Sequence, residues 1–330
     1  MIEIVNYSPT YEKQHFEFAT RMFGKRRKRR NPDYIYWKFR GEPGKELPSF
    51  KLAVEKGEII GQLGLIPCYL KVGMKSIATQ WACDLMVDPA YRGKGVAKLL
   101  YESAHQQKPI TLGSDPSPSA EKSMLRSGYK KLKSSTKQFI PIYLGVPLQM
   151  KGLPYKFIKS VKNPFLSVYR QTKYKREFQQ LDIINENHHD LFHTKTANDL
   201  RIQVDDNFKN WRFREFKDYY PGVKLYNLSG TKTYFSGYHH GHIYFITDLE
   251  LENSKDFYSI INFILSFLPE NIDRIRFQNN IHSKKLGSQL TTIEYSTKTS
   301  IIYYTKDNVL EKSIQKKYFY YTHQDSDENI

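Results

Sequence analysis

The sequence predicts a mixed α/β fold, in which a mixed sheet is flanked by helices, arranged as two domains in tandem. Strand-like and helical segments alternate over the first 130 residues, which is typical of a sheet covered by helices. A second series of segments in the same order begins near Asp206. The chain has 330 residues, enough for two domains that each bury a core.

Apolar periodicity and turn residues predict the elements of the first half. They are, in order, a strand at 2–5, helices at 11–23 and 32–39, a hairpin of strands 50–54 and 59–66, a central strand at 77–87, a helix at 96–105, a strand at 110–113 and a helix at 119–127. Gly128 is a natural C-cap for the last of these helices.

The most informative segment is the loop that joins the central strand to the helix at 96–105. Glycines at 93 and 95 allow backbone N–H groups to approach an anion, and the first helical turn adds unpaired N–H donors. Arg92, Lys94 and Lys98 add positive charge. The spacing does not match Gly-x-Gly-x-x-Gly, because Lys98 stands where the third glycine belongs, and the P-loop pattern is absent. The segment predicts a site for a phosphorylated cofactor.

Arg92, Gly95 and Ala97 form the pattern Arg-x-x-Gly-x-Ala, which resembles the pyrophosphate loop of the GNAT superfamily of acyl-CoA-dependent acyltransferases. The segment 115–129, which ends in Gly128 and an aromatic residue, agrees with the same family in order and position. The resemblance covers about residues 1–140. It implies a catalytic domain at 1–145 that binds acyl-CoA.

The resemblance also implies which residues contact the cofactor. Acetyl-CoA is the expected co-substrate, with its pantetheine along the central strand, where one backbone N–H stabilises the thioester oxyanion. No metal is expected. The cofactor-binding residues implied are Leu85, Met86, Val87, Arg92, Gly93, Lys94, Gly95, Val96, Ala97 and Ser117.

The catalytic residues are less well indicated. Asp84 lies on the central strand and is a candidate general base, with an ion pair to a nearby Lys or Arg as the alternative role. Many GNAT enzymes place a tyrosine four residues before the glycine of the Gly-aromatic pair, but that position is Met124 here. Tyr129 lies nearby in sequence and is a candidate acid, with core packing as its alternative.

The second half contains an echo of the first. Residues 33–40 end in Trp-Lys-Phe-Arg, and residues 206–214 end in Trp-Arg-Phe-Arg. Strands at 223–228, 233–238 and 243–249, a helix at 255–268, a strand at 274–277 and a helix at 283–290 then follow in the order of the first half. In place of the glycine loop stands an acidic segment without glycine, 250–254. We expect 201–330 to be a degenerate GNAT-like domain that shapes the acceptor site, after a connector at 146–200 with helix near 169–181.

Charge and composition restrict the partners. The net charge of +17 favours anionic ones: a nucleotide cofactor, an acidic acceptor, nucleic acid or a membrane surface. The basic run 25–30 suits an acidic acceptor, a nucleic-acid patch or a solvated surface. The spacing of Cys68 and Cys83 fits neither a metal site nor a disulfide framework, which predicts small buried thiols. His188 and His189 are adjacent, which predicts a surface turn.

The start of the sequence lacks the design of a signal peptide, and no apolar run approaches the roughly 20 residues of a membrane span, so a cytoplasmic protein is expected. The predicted function is transfer of an acetyl group to a primary amine of a small acceptor, such as an amino sugar or nucleotide-linked sugar, by direct attack. Two alternatives remain. An aminoacyl-tRNA-dependent tandem-GNAT transferase needs no pyrophosphate loop, and a non-catalytic nucleic-acid-binding protein would tolerate Met124.

Overall fold

The computed structural model describes residues 1–23, 31–146, 161–183, 199–215, 222–279 and 297–322. The chain divides into two compact units that take alternate segments of it. The first contains Met1–Lys133, Ala197–Trp211 and Ser300–Phe319, and the second contains Ser134–Thr196, Arg212–Thr299 and Tyr320–Ile330. The units therefore do not follow the predicted boundaries at 145 and 200.

Seven α-helices and sixteen strands are found in the described ranges. The helices are α1 Glu12–Phe23, α2 Pro32–Lys38, α3 Val96–His105, α4 Pro118–Arg126, α5 Asp206–Lys209, α6 Asp256–Phe267 and α7 Asn308–Gln315. The strands are β1 Glu3–Tyr7, β2 Leu47–Glu55, β3 Glu58–Val72, β4 Lys75–Val87, β5 Ile110–Ser114, β6 Lys130–Ser134, β7 Thr136–Pro141, β8 Phe178–Leu181, β9 Asp199–Ile202, β10 Lys224–Leu228, β11 Tyr234–His240, β12 Ile243–Glu250, β13 Arg274–Asn279, β14 Thr297–Lys298, β15 Ile301–Thr305 and β16 Tyr318–Tyr320. None of these helices is long and apolar enough to cross a membrane.

The mixed α/β fold class is confirmed, and the elements predicted up to residue 128 are all present. Local chemistry explains their limits. The Asn31 side chain caps α2 by accepting the N–H of Asp33, and Pro32 takes the first helical position. Gly128 follows α4 with φ +91°, so the predicted C-cap is confirmed.

The first unit is built on a nine-stranded sheet in the order β1-β2-β3-β4-β5-β15-β6-β16-β9. Its core contains one face of α3, with Val96, Leu100 and Ala104 packed with Leu63 and Leu65 of β3. These three helical residues recur every four positions, so they lie on one face. Cys68 and Cys83 are buried, as predicted, and neither belongs to a disulfide.

One strand of the first sheet comes from late in the sequence. β15 lies between β5 and β6 and is antiparallel to both, with Ile302 opposite Gly113 and Lys131. The sequence analysis placed this segment in the second domain. Its β-branched and aromatic residues, 301–305, are typical of a strand, but which sheet it joins is decided by the gap that α4 leaves between β5 and β6.

The second unit contains a seven-stranded sheet in the order β14-β7-β13-β12-β11-β10-β8. β12 and β13 are parallel and are joined through α6, whose Ile260, Ile261 and Ile264 are fully buried. Strands β10 to β13 and helix α6 confirm the elements predicted there.

The predicted helix near 169–181 is wrong. The chain forms two short 3-10 turns, Pro164–Val168 and Thr172–Tyr174, and then strand β8, which pairs with β10. The backbone of β8 finds its hydrogen bonds at a sheet edge, and this pairing overrides the local helical spacing. The predicted helix at 283–290, the basic run 25–30 and the histidines 188 and 189 lie outside the described residues.

The two copies of the aromatic-basic segment contact each other within the first unit. The indole N–H of Trp37 donates to the backbone oxygen of Trp211 (2.9 Å), and the indole N–H of Trp211 donates to the backbone oxygen of Trp37 (2.8 Å). Both rings are buried, with centroids 6.0 Å apart. This symmetric exchange supports the internal repeat seen in the sequence.

The place of β15 in the first sheet can be tested by a pair of substitutions. Ile302 is fully buried and Val309 is 76% exposed. We expect Ile302→Ala to lower the free energy of unfolding by about 2–5 kcal/mol, because it leaves a cavity in the core. Val309→Ala should change it by less than about 0.5 kcal/mol. Urea unfolding measures both, and equal effects would contradict the placement.

Candidate functional site

Strands β4 and β5 separate part-way along their length. In the described part of the chain they pair at three positions, Thr79–Trp81 of β4 with Ile110–Leu112 of β5. β4 then continues to Val87 in its ladder with β3, while Gly113 of β5 pairs with β15. The second half of β4 therefore presents a backbone edge to which no described strand is bonded. Such an edge can accept an extended ligand as an added strand.

A β-bulge lies where this edge opens. Gln62 of β3 is opposite Met86 and Gly64 is opposite Cys83, so Leu63 faces two residues of β4, Asp84 and Leu85. Asp84 has φ +52°, in the left-handed region. Bulges bend a strand and change the direction in which its side chains and amides point. The half-buried residues Leu85, Met86 and Val87 follow the bulge.

The loop after β4 has the geometry of an anion site. Gly93 and Gly95 have φ +79° and +84°, and a Cβ on either would meet only open space. The N–H groups of Gly93, Gly95, Val96 and Ala97 have no acceptor among the described residues. The last two belong to the first turn of α3, whose dipole also favours a negative charge there. Backbone donors therefore converge on accessible space at the end of β4.

Positive side chains surround these donors. Arg92, Lys94 and Lys98 are exposed. The Arg92 Nε donates weakly to the oxygen of Val87 at 3.4 Å, and the Lys98 ammonium lies 3.8 Å from Glu102 on the next helical turn. Exposed cations held this loosely can turn towards a phosphate at little cost.

Asp84 is ion-paired. The Lys38 ammonium of α2 lies 2.7 Å from its carboxylate, with the two side chains 0% and 5% exposed. The Gln62 amide donates to the backbone oxygen of Asp84 (3.2 Å) and contacts the His15 imidazole (3.0 Å). The ion pair that the sequence analysis left open as an alternative is therefore present. Lys38 itself was missed, although a lysine among the aromatic residues of α2 is a detectable signal.

His15 is buried beside this network. It is 1% exposed, and burial lowers its pKa to about 4, while Gln62 and Asp84 oppose the shift. The imidazole is therefore neutral near pH 7. Its ring packs edge-on against Tyr7 and Phe50.

Tyr129 and Met124 belong to the hydrophobic core. Tyr129 is 3% exposed, its ring lies among those of Tyr101, His105 and Tyr304, and burial raises its pKa well above the usual value. His105 is the last residue of α3, at the opposite end of that helix from the loop. Met124 is buried in the same cluster. These contacts agree with core packing, the alternative role given for Tyr129.

Ser117 caps α4. Its hydroxyl accepts the N–H of Ala120 at 3.3 Å and lies 3.2 Å from the hydroxyl of Ser119. The residue follows the carboxyl end of β5, whereas residues 84–87 and 92–97 meet at the carboxyl end of β4. No group of three or more His, Cys, Asp or Glu able to hold a metal is found in the described ranges.

Comparison with known proteins assigns a family to the segment that contains β4 and the loop. Residues 3–108 match the family model of the acetyltransferase (GNAT) domain. This segment is a GNAT domain. The superfamily resemblance inferred from Arg92, Gly95 and Ala97 is thereby confirmed, and it supports acyl transfer as the general activity. No curated protein matches the sequence.

Solved structures extend the likeness of fold beyond the GNAT domain. A GCN5-related N-acetyltransferase from Anabaena variabilis is similar at TM-score 0.61 and 16% identity, over 93% of this chain and 73% of that one. A probable N-acyltransferase of unknown function from Enterococcus faecalis gives 0.61 and 12%, over 92% and 73%. A GCN5-related N-acetyltransferase from Kribbella flavida gives 0.61 and 9%, over 92% and 72%. At these identities the likeness concerns the fold.

The second unit repeats the strand geometry of the GNAT site. β12 pairs with β13 at 243–245 and then continues to residue 250 without it in the described part of the chain. It also carries an extra residue: the adjacent residues Ser236 and Gly237 of β11 are opposite Asp248 and Ile246, with Thr247 between them. A bulge and a strand separation are thus present in both units.

The loop after β12 differs from the GNAT loop because several of its N–H groups are bonded within the chain. The N–H of Asn253 donates to the Asp256 carboxylate (3.1 Å), and the N–H of Glu252 donates to the Thr233 hydroxyl (2.9 Å). Asp256 also accepts from Thr233 (2.6 Å) and pairs with Arg176 (3.1 Å). In the second unit the Asp256 carboxylate therefore accepts a loop N–H group, whereas the N–H groups of the loop at 92–97 are left for an external anion.

The neutral state of His15 can be tested by the pH dependence of stability. The unfolded chain takes up a proton on His15 near pH 6.5, and the folded chain takes it up near pH 4. The free energy of unfolding should therefore fall as the pH falls from 6.5 to 4, by about 1.4 kcal/mol for each pKa unit that separates the two states. Urea unfolding at pH 6.5, 5.5 and 4.5 measures this.

His15→Gln should flatten that dependence, whereas the same change at the exposed His240 should leave it intact. His105, whose pKa burial also lowers to about 4, will contribute the remaining slope. An identical slope in His15→Gln and the parent protein would show that His15 is not held neutral.

Proposed function

We propose that this protein is an N-acyltransferase that takes its acyl group from acyl-CoA, with acetyl-CoA the default donor, and transfers it to a primary amine of a small acceptor. The observation that carries the proposal is the loop at 92–97, with four unbonded backbone N–H groups, two left-handed glycines and open space in front of them. This is a fit for a pyrophosphate. The GNAT family of residues 3–108 supports the same chemistry.

The residues that would hold the cofactor are those implied by the family resemblance. Arg92–Ala97 would bind the pyrophosphate, and the free edge of β4 at 85–87 would hydrogen-bond the pantetheine as an added strand. Ser117, at the end of β5, would contact the cofactor from the other side of the strand separation. Bound acyl-CoA supplies a thioester whose carbonyl carbon would bond the amine nitrogen as its bond to sulfur breaks. The CoA thiolate would depart, and the proton lost by the nitrogen would pass to solvent, from which the thiolate is protonated.

The chain's part in the reaction is alignment and charge stabilisation. A backbone N–H among Leu85, Met86 and Val87 would donate to the developing oxyanion, and such preorganised donors supply much of the catalysis of acyl transfer. Met124 has no proton to donate and Tyr129 is buried in the core, so in this proposal the thiolate leaves without a protein acid. A thiol of pKa near 8.5 tolerates this. A base role for Asp84 stays a prediction, and its carboxylate is engaged by Lys38.

The proposed acceptor is small and acidic, such as an amino sugar or a nucleotide-linked sugar. The net charge of +17 supports an anionic molecule. We also propose that the second unit is a degenerate GNAT-like domain that shapes the acceptor site. Two observations support this degenerate GNAT-like domain. The second unit repeats the bulge and the strand separation, and N–H groups of its loop are bonded within the chain. Binding of nucleic acid in place of a small acceptor is an outcome of the test below.

Cofactor binding tests the proposal directly. We expect acetyl-CoA at about 100 times its dissociation constant to stabilise the protein by about 2.7 kcal/mol, measured by thermal unfolding. Gly95→Glu should abolish the shift, because it places a carboxylate and a strained residue in the loop. The matched control is Gly230→Glu in the second unit, where φ is +75° and the space is likewise open, and there the shift should persist.

A shift with a short oligonucleotide and none with acetyl-CoA or CoA would contradict acyl transfer and favour nucleic-acid binding. A CoA-induced shift that survives Gly95→Glu would show that the cofactor binds elsewhere.

Stoichiometry tests the degenerate second unit. Titration calorimetry with CoA should give one site per chain, because Asp256 and Thr233 occupy the second loop's donors. Asp256→Ala should leave that single site unchanged in affinity. Two sites per chain in the parent protein would contradict the assignment.

A further inference from the structure

Lys38 and Asp84 form an ion pair inside the first unit, with side chains 0% and 5% exposed and 2.7 Å between ammonium and carboxylate. Burying two charges costs desolvation energy, and apolar residues of similar size often stabilise a fold equally well. Stability alone is therefore a weak explanation for the presence of this pair. Its position on the bulge of β4 points to another use.

The backbone of Asp84 has to be held in place. Its φ of +52° lies in the left-handed region, which is uncommon for residues with a side chain and persists when the surroundings favour it. Three elements converge on it. Lys38 of α2 binds the carboxylate, Gln62 of β3 donates to the backbone oxygen (3.2 Å), and His15 of α1 contacts Gln62 (3.0 Å).

The bulge decides which amides reach the open edge of β4. Because successive residues of a strand point to opposite sides, one residue more or less reverses the direction of everything that follows. Without the bulge, each N–H group of 85–87 that now points to β3 would point to the open edge, and each that now points to the open edge would point to β3. The conformation of Asp84 thus controls the donors at the strand separation.

The second unit supplies an independent comparison. Arg212 stands in Trp-Arg-Phe-Arg where Lys38 stands in Trp-Lys-Phe-Arg, and Asp248 directly follows Thr247, the extra residue of the β12 bulge, and is itself opposite Ser236. Arg212 is 0% and Asp248 4% exposed. This unit keeps a basic residue, an aspartate and a bulge although its loop donors are bonded internally. A role in shaping the strand explains their presence in both units, whereas proton transfer would explain the first unit alone.

We infer that Lys38 and Asp84 are a positioning pair, which holds the β4 bulge in the shape that presents to the thioester of an acyl-CoA those N–H groups of 85–87 that face the open edge. The inference rests on the proposed function and assigns Asp84 to positioning rather than to proton transfer. Lys38 acts through Asp84 and does not itself contact the acyl group.

The test compares two ligands that differ in the part that reaches β4. Acetyl-CoA contains the thioester arm, and adenosine 3′-phosphate 5′-diphosphate contains only the nucleotide part that the loop would hold. Calorimetry gives both affinities for the parent protein, Lys38→Met, Asp84→Asn, the double variant and a control, Lys51→Met. Lys51 is also a buried lysine of the first unit, but its ammonium contacts Asn6.

We expect Lys38→Met and Asp84→Asn each to weaken acetyl-CoA binding by about tenfold, about 1.4 kcal/mol, without changing the nucleotide affinity. The double variant should regain most of the loss, because no charge is left unpaired and asparagine adopts the left-handed region readily. Lys51→Met should leave both affinities unchanged. If either single variant fails to fold, the double variant decides, and its folding with acetyl-CoA affinity restored supports the pair.

Unchanged acetyl-CoA affinity in the single variants, or parallel losses for both ligands, would overturn the inference while leaving the proposed function intact. A double variant no better than the worse single variant would do the same. A parent protein that binds neither ligand would instead contradict the proposed function.

Discussion

The second half of β4 has to satisfy two demands on its backbone. One edge pairs with β3, which integrates the strand into the core, and the other edge stays clear of β5 from residue 82 onward. An edge kept open in this way is normally a liability, because it can pair with any extended chain. Here the glycine loop follows directly, and the bulge at Asp84 sets the direction of the edge's donors. The site is therefore a property of strand pairing first and of individual side chains second.

The two units show how little separates an open anion site from a closed one. Both have a bulged strand that parts from its parallel neighbour before a helix begins. In the first, glycines leave the loop amides unbonded. In the second, Asp256 and Thr233 accept the amides of Asn253 and Glu252. The N–H groups of the first loop are left for solvent or a ligand, whereas Asn253 and Glu252 of the second loop are bonded within the chain.

Much of this could be predicted from the sequence, because the signals were local. The helix at 96–105 is read from the spacing of Val96, Leu100 and Ala104, and its limits from the glycine loop before it. The predicted cofactor loop at 92–97 has its glycines and basic residues in consecutive positions. The internal repeat is visible because Trp37 and Trp211 begin similar tetrapeptides, Trp-Lys-Phe-Arg and Trp-Arg-Phe-Arg.

What could not be predicted depends on contacts between distant segments. The β-branched and aromatic residues of 301–305 are typical of a strand, but nothing in them shows that its neighbours are β5 and β6. The partner of Asp84 comes from α2, and the sequence alone does not show which of several lysines and arginines pairs with this carboxylate. The helix expected near 169–181 failed for the same reason, because pairing with β10 decided the outcome.

The late strand β15 has a consequence for how the first unit comes into being. The N–H of Ser300 donates to the carboxylate of Asp115 across a separation of 185 residues (2.8 Å). Closing so long a loop is entropically slow, and folds rich in such contacts assemble slowly. On the ribosome, the segments that form the cofactor loop emerge long before the strand that completes their sheet. Until β15 arrives, the place between β5 and β6 leaves an exposed pair of strand edges, and such unpaired edges make a nascent chain prone to aggregate.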